Sequence, residues 1–424
     1  MLPPRIFFFK EEIIMKSYDM LSQLFREKVS GMDYNMCQEA TEDVGYPTGY
    51  LNFDFLNGYQ TQGYNPDTGK IEPYFVIGIT DGSYVVFLGN TGTGKSTFVE
   101  QIAANIVRPF RTSTIFEDSL EAGMNSERRR SLSKFSKEEY NLRYIVRNTG
   151  INAENFYKRI KMIHDLKTKD PTKYLYDTGR RDIYGKPIMK LEPTVYILDS
   201  IAMLMPQTYT EEEELAGKSA GAASALVVTN AFRTLFPMLK AANIILLGIN
   251  HILEDVNMTA MPKKQTVPYL KQGERIPKGR TITFLANNII RLENVGKYKA
   301  EEGYHIEGSL VDVSLVKSRS SGKKIGTKLV FDFDNGFCPW LSLLKFLQDK
   351  KLIYGAGASL SLDPDKLYKF SLGTFREKIN DENFRNYFLN TVLPVLKEMP
   401  AEKDVLAQDD HVSDLLSIPN LFTV

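Results

Sequence analysis

Eight residues, Gly89-Asn90-Thr91-Gly92-Thr93-Gly94-Lys95-Ser96, constrain this chain more than any other stretch. They carry the spacing G-x-x-x-x-G-K-[ST] and lie between the apolar run Tyr84 to Leu88 and the helix-like segment Thr97 to Val107. A strand, a glycine-rich turn and a helix in that order aim backbone N–H groups and the positive end of the helix at phosphate oxygens. Lys95 then reaches the outer phosphates, Ser96 takes Mg²⁺, and Gly89 through Thr97 line the nucleotide. The fold class expected around such a turn is α/β, with a central, mostly parallel twisted sheet.

Composition adds bounds rather than a mechanism. With 424 residues, 43% hydrophobic and 25% charged, the chain reads as an ordinary soluble globular protein with one main domain and smaller flanks. A formal net charge of +1 excludes a uniformly basic nucleic-acid coat, so charge has to be read segment by segment. Cys37 and Cys338 are far apart and lack metal-ligand spacing, which favours a reducing interior without a disulfide framework. His164, His251, His305 and His411 lack zinc spacing too, leaving Mg²⁺ as the expected metal. The opening apolar run is broken by Lys10, Glu11 and Glu12; it reads as neither a membrane span nor a signal peptide, and Met15 is an alternative start. An intracellular location, in the cytoplasm with DNA and away from membranes, is the expectation.

Taken in order, residues Ser17 to Lys28 space Tyr18, Leu21, Leu24 and Phe25 as on an amphipathic helix, which either packs on the body or docks on a neighbouring subunit. A turn-rich insert, Gly63 to Lys70, precedes the first core strand. Beyond the phosphate loop, the short strand Ser113 to Phe116 runs into Glu117-Asp118-Ser119-Leu120-Glu121. Acids at a strand tip beside the loop sit where water is activated against a γ-phosphate, so Glu121 is the candidate general base and Glu117 the second choice; a solvated helix start is the alternative. Arg128-Arg129-Arg130 and the segment Ala153 to Leu166 are expected to form exposed helical faces, and Tyr176 to Glu192 a surface hairpin. Thr194-Val-Tyr-Ile-Leu-Asp199 is an apolar strand ending in an acid placed to hold the Mg²⁺ shell. The strand Ile244 to Ile249 ends in Asn250-His251, where His251 could sense the γ-phosphate and signal into the next loop.

Two loops leave those strand tips. The first, about 206–219, holds Glu211 to Glu214 and then Lys218. The second, about 253–280, sets Lys263, Lys264, Lys271, Arg275, Lys278 and Arg280 against Glu254, Asp255 and Glu274, with Met258, Met261 and Tyr269 interleaved. Cations for phosphates and apolar groups for bases suit a loop that binds a nucleic-acid strand; a solvated surface loop is the alternative.

In this order the elements resemble the RecA family of strand-exchange recombinases, more closely its phage-type members, over roughly Tyr46 to Val395. The resemblance rests on Asp199-Ser-Ile-Ala-Met-Leu-Met-Pro206, Gly248-Ile-Asn-His251, Lys278-Gly-Arg-Thr-Ile-Thr-Phe-Leu-Ala286, Val316-Lys317-Ser318-Arg319 and the exit Asp334-Asn-Gly-Phe337. It implies a RecA-like P-loop NTPase core with a short N-terminal arm (1–45), a core over 46–345, a small α-rich C-terminal domain (346–400) and an acidic tail (401–424). It also implies ATP and Mg²⁺ as cofactors and single-stranded and double-stranded DNA as partners. Further implications are self-association into a helical filament, phage loading and single-strand-binding proteins, and DNA contacts from Lys218 and the second-loop cations. Cations at Lys317 and Arg319 would reach the neighbouring subunit's triphosphate, as an arginine finger does. The sequence departs from bacterial members in having His251 rather than glutamine, a longer stretch between Glu121 and Asp199, and a dissimilar first loop.

A hexameric replicative helicase shares this core, and Lys317-Ser-Arg319 would fit it almost as well. Fewer than ninety residues before the phosphate loop leave little room for that enzyme's amino-terminal domain. A non-catalytic protein that uses ATP only to hold a filament together is the third possibility.

Overall fold

Nine strands pair into one sheet. The first six in chain order are β1 (Tyr84–Gly89), β2 (Ile115–Ser119), β3 (Tyr144–Arg147), β4 (Thr194–Asp199), β5 (Ile244–His251) and β6 (Asn288–Lys297). Three more follow: β7 (Gly308–Ser318), β8 (Ile325–Asp332) and β9 (Gly336–Cys338). Their spatial order is β9-β8-β7-β6-β1-β5-β4-β2-β3. From β6 to β3 every pair is parallel, and from β6 to β9 every pair is antiparallel. The computed structural model describes residues 43–182, 185–207, 221–254, 267–277, 280–298, 306–320, 322, 324–356 and 359–399, with backbone alone for 221–225 and 280–282.

Every residue of β1 and β4 is buried, which is why both read as unbroken apolar runs. Alternation still sorts their side chains: Val85 and Phe87 join one core cluster, while Tyr84, Val86 and Leu88 join the other. The first cluster is filled by Phe98, Val99, Ile102 and Ile106 of α1 (Lys95–Val107). The second is filled by Phe156 and Ile160 of α3 (Ala153–Lys169) and Phe232 and Leu235 of α4 (Gly221–Ala241). The sheet is thus covered on both faces, and its parallel strands deliver their carboxyl ends to one rim. This is the mixed α/β architecture of a RecA-like P-loop NTPase core.

Two insertions meet away from that rim. The turn-rich segment is part of a longer hairpin, Tyr59–Asn65 with Lys70–Val76, and the later one is the hairpin Leu175–Arg181 with Pro187–Leu191. Tyr64 pairs with Arg181, which joins the hairpins into one four-stranded sheet. Residues beyond β9 form α6 (Pro339–Asp349), a three-stranded sheet and α7 (Glu382–Glu398). Their apolar side chains, from Trp340 to Leu396, share one cluster with Leu51, Phe55, Ile77 and Val330. The carboxyl-terminal segment is therefore packed onto the body through a common core. The expected arm up to residue 42, most of the first loop and the acidic tail lie outside the described residues. Among the described residues no helix is long and apolar enough to cross a membrane.

One expectation is overturned here. Of Arg128, Arg129 and Arg130 in α2 (Ser126–Ser133), the middle one is only 2% exposed. It shares a helix face with buried Leu132 and Ser133, at the spacing of three and four that one turn imposes.

Candidate active site

The turn from β1 into α1 depends on backbone shapes that glycine supplies. Gly92 and Gly94 have φ of 80° and 82°, and a Cβ on Gly94 would also lie 3.0 Å from the Phe337 ring. Lys95, the first residue of α1, is 5% exposed and folds back over the turn, its Nζ donating to the carbonyls of Gly89 at 3.0 Å and Asn90 at 2.8 Å. Burial lowers its pKa to about 8, against the pull of Asp199 and Glu121. The Thr93 hydroxyl donates to the Asn90 carbonyl at 2.9 Å, tightening the same loop.

Asp199 ends β4, two strands from the loop, and its Oδ2 accepts a hydrogen bond from Ser96 Oγ at 2.7 Å. Burial raises its pKa to about 6; the Ser96 bond opposes this, and the charges of Glu121 and Glu117 add to it. Its second oxygen, Oδ1, is buried without a hydrogen-bond partner. A buried carboxylate oxygen with no donor beside a hydroxyl is a hard-oxygen pair suited to Mg²⁺, so Ser96 and Asp199 fit that ion.

Glu121 and His251 meet across the rim, Nε2 to Oε1 at 2.6 Å. Leu120 N and Glu121 N both point at the Asp199 carbonyl, at 2.6 and 3.4 Å, which hangs the Glu121 loop from the tip of β4. Burial disfavours the Glu121 carboxylate, but its polar neighbours Ser200 and His251 and the charges of His251 and Lys95 outweigh it and hold the pKa below the usual range. An ionised carboxylate in contact with an imidazole can accept a proton from water. Glu117 does not share this position. It is 3% exposed, and both its oxygens are bound by Arg129, at 2.6 and 2.7 Å.

Lys317 and Arg319 come together, but at a distance in the fold from their own phosphate loop. Lys317 Nζ donates to the carbonyls of Phe284 and Ala286, and Arg319 Nη2 to that of Phe284 at 3.0 Å. These are the free carbonyls at the end of α5 (Arg280–Leu285), the negative end of a helix. Burial, then the neighbouring Arg319 charge, lowers the Lys317 pKa to about 8. Among the described residues neither cation bonds any part of Gly89 to Thr97.

The second loop is fastened by both arms beside the phosphate loop. On the first arm Ile252 N donates to the Gly89 carbonyl at 3.2 Å, the same oxygen that accepts from Lys95. On the second arm Glu274 takes both nitrogens of Arg291, each at 2.7 Å, and Lys271 Nζ reaches Glu293 at 2.6 Å. Arg291 is 6% exposed and lies in β6 opposite Leu88 of β1. The arms are joined by a short ladder in which Leu253 pairs with Arg275, whose side chain is exposed. A cleft of about 390 Å³ opens between Asn90–Thr93 and Ile252, Lys271, Arg291 and Val295. Lys218, Lys263, Lys264 and Lys278 lie outside the described residues, as does the Arg280 side chain.

Sequence reasoning missed Arg129 and Arg291. Arg291 had a signal, because it interrupts the apolar run Ile289 to Leu292 and a buried charge demands an opposite partner; Arg129 had none within its run of three arginines.

Fold and phosphate loop define a nucleotide-binding P-loop NTPase. The chain is 30% identical over 145 residues to the energy-coupling factor transporter ATP-binding protein EcfA2 of Clostridium acetobutylicum. That match takes in 29% of this chain and 50% of the relative, so the chain spans about half the length of the curated protein it matches. No family model matches the chain.

Proposed function

We propose that the chain is an ATP-dependent DNA recombinase that assembles on single-stranded DNA, pairs it with homologous duplex and releases it after hydrolysis. Lys95 and the loop N–H groups hold the triphosphate, Ser96 and Asp199 hold Mg²⁺, and Glu121 accepts a proton from the attacking water while His251 orients it. Mg²⁺, when bound, neutralises charge on the β- and γ-phosphates. Lys317 and Arg319 act on the triphosphate of the next subunit, and the second loop carries the strand.

The observation that supports this best is the fastening of both arms of the basic loop beside the phosphate loop. A triphosphate that draws Lys95 away from the Gly89 carbonyl changes the hydrogen bonding of the oxygen that also holds Ile252. ATP thereby acquires a differential contact with two states of the loop, which a switch requires. The relative's name raises a second reading, an ATPase that drives transport, and that reading gives turnover indifferent to DNA.

ATP hydrolysis measured with and without single-stranded DNA separates these. Stimulation supports the recombinase, and equal rates argue for the transport reading. A companion measurement addresses the loop. Neutralising Lys263, Lys264 and Lys271 together is expected to weaken strand binding and reduce the dependence of log K on log salt by roughly 0.7 for each DNA phosphate that is no longer neutralised. An unchanged slope removes the second loop from the DNA interface.

A further inference from the structure

We propose that Arg129 is a positioning residue that clamps the Ser119–Met124 loop, and with it Glu121, to the phosphate-loop helix. The inference rests on the assignment of Glu121 above.

One guanidinium takes hold of both ends of that loop. Nη2 donates to Ser119 Oγ at 3.1 Å at the start of the loop, and Nη1 donates to the Met124 carbonyl at its end. It also holds Glu117, two residues before Ser119, through Nε at 2.6 Å and Nη2 at 2.7 Å. The same Nε lies 3.4 Å from Oε1 of Glu100, in the middle of α1. Tyr144 of β3 closes the cluster, its hydroxyl within hydrogen-bond reach of both Glu100 and Glu117. Four elements therefore converge on one cation: α1, which begins at Lys95 and Ser96, β2, which leads into Glu121, α2 and β3.

The cluster is dry, with the Arg129, Glu100 and Glu117 side chains each at most 3% exposed. Two carboxyl groups then share one guanidinium and one phenol. Burial, followed by the charge of Glu117, raises the Glu100 pKa well above the carboxylate range. The planar fork matters here, because its separate N–H groups point at Glu117, Ser119 and Met124 at once; a lysine cannot reproduce that. Between the clamped ends, among the described residues, Glu121 is held by the Asp199 carbonyl and by its contact with His251. A misplaced general base costs about 100-fold in rate.

Hydrogen exchange and ATP turnover, measured on the full chain as Arg129→Lys and as the milder Ser119→Ala, test this. Arg129→Lys is expected to raise exchange across residues 119–125 by at least about tenfold, with α1 and β4 unaffected. Its kcat is expected to fall about 100-fold while KM and nucleotide affinity stay within about twofold. Ser119→Ala is expected to move the same peptide and the same constant, by smaller factors. Unaltered exchange across 119–125 in a folded Arg129→Lys overturns the clamp. So does a loss of rate matched by an equal loss of nucleotide affinity. Should Arg129→Lys fail to fold, unaltered exchange in Ser119→Ala overturns it instead. If the wild-type chain hydrolyses no ATP, the recombinase assignment fails, and the exchange measurement alone still decides the clamp.

Discussion

Lys95→Ala is expected to reduce ATP turnover by about 100-fold or more, with or without DNA. The ammonium folds back over the loop and is held there by two loop carbonyls at 2.8 and 3.0 Å. Its burial lowers its pKa to about 8, so it is a poorly solvated charge that gains from an anion. Removing it should leave the fold intact. Gly89 O retains the Ile252 N–H, and Asn90 O retains the Thr93 hydroxyl. Steady-state phosphate release is the assay, with a thermal melt beside it; wild-type turnover in a folded Lys95→Ala would remove this loop as the site of hydrolysis.

The second large effect concerns Lys317 and Arg319. Replacing both with alanine is expected to lower turnover roughly 10³-fold under conditions where the wild type assembles, with nucleotide affinity little changed. The same pair also caps α5, so a purely structural role has to be separated from a role in trans. Mixing does this. Lys95→Ala protein lacks a working loop but still offers its cations, whereas Lys317→Ala/Arg319→Ala protein has a working loop and none to offer. Each is expected to be nearly inactive alone and the mixture active. A mixture as inactive as its components would mean that the cations serve their own subunit or only the helix end.

Much of the site was legible in the sequence for a physical reason. Strands buried on both faces, such as Tyr84–Gly89 and Thr194–Asp199, must read as apolar runs, and an acid or histidine at the end of such a run falls on the common rim. Lys95, Ser96, Asp199, Glu121 and His251 are neighbours for that reason. What was not legible depends on pairings between distant segments. The two hairpins join at Tyr64 and Arg181, more than a hundred residues apart, with nothing local to announce it. Three consecutive arginines look alike in sequence, and only the turn of α2 decides that Arg129 faces inward. Nor does anything local in the carboxyl-terminal segment announce that its apolar residues pack with Leu51 and Phe55 from the other end of the described chain.

These pieces meet in one claim, that the phosphate loop is half of a site completed by the next subunit along a DNA strand. Electron microscopy of the protein with single-stranded DNA and a non-hydrolysable ATP analogue tests it most directly. The expected result is helical filaments that require the nucleotide and fail to form with Lys317→Ala/Arg319→Ala. Closed rings, or dispersed monomers under the same conditions, would contradict it.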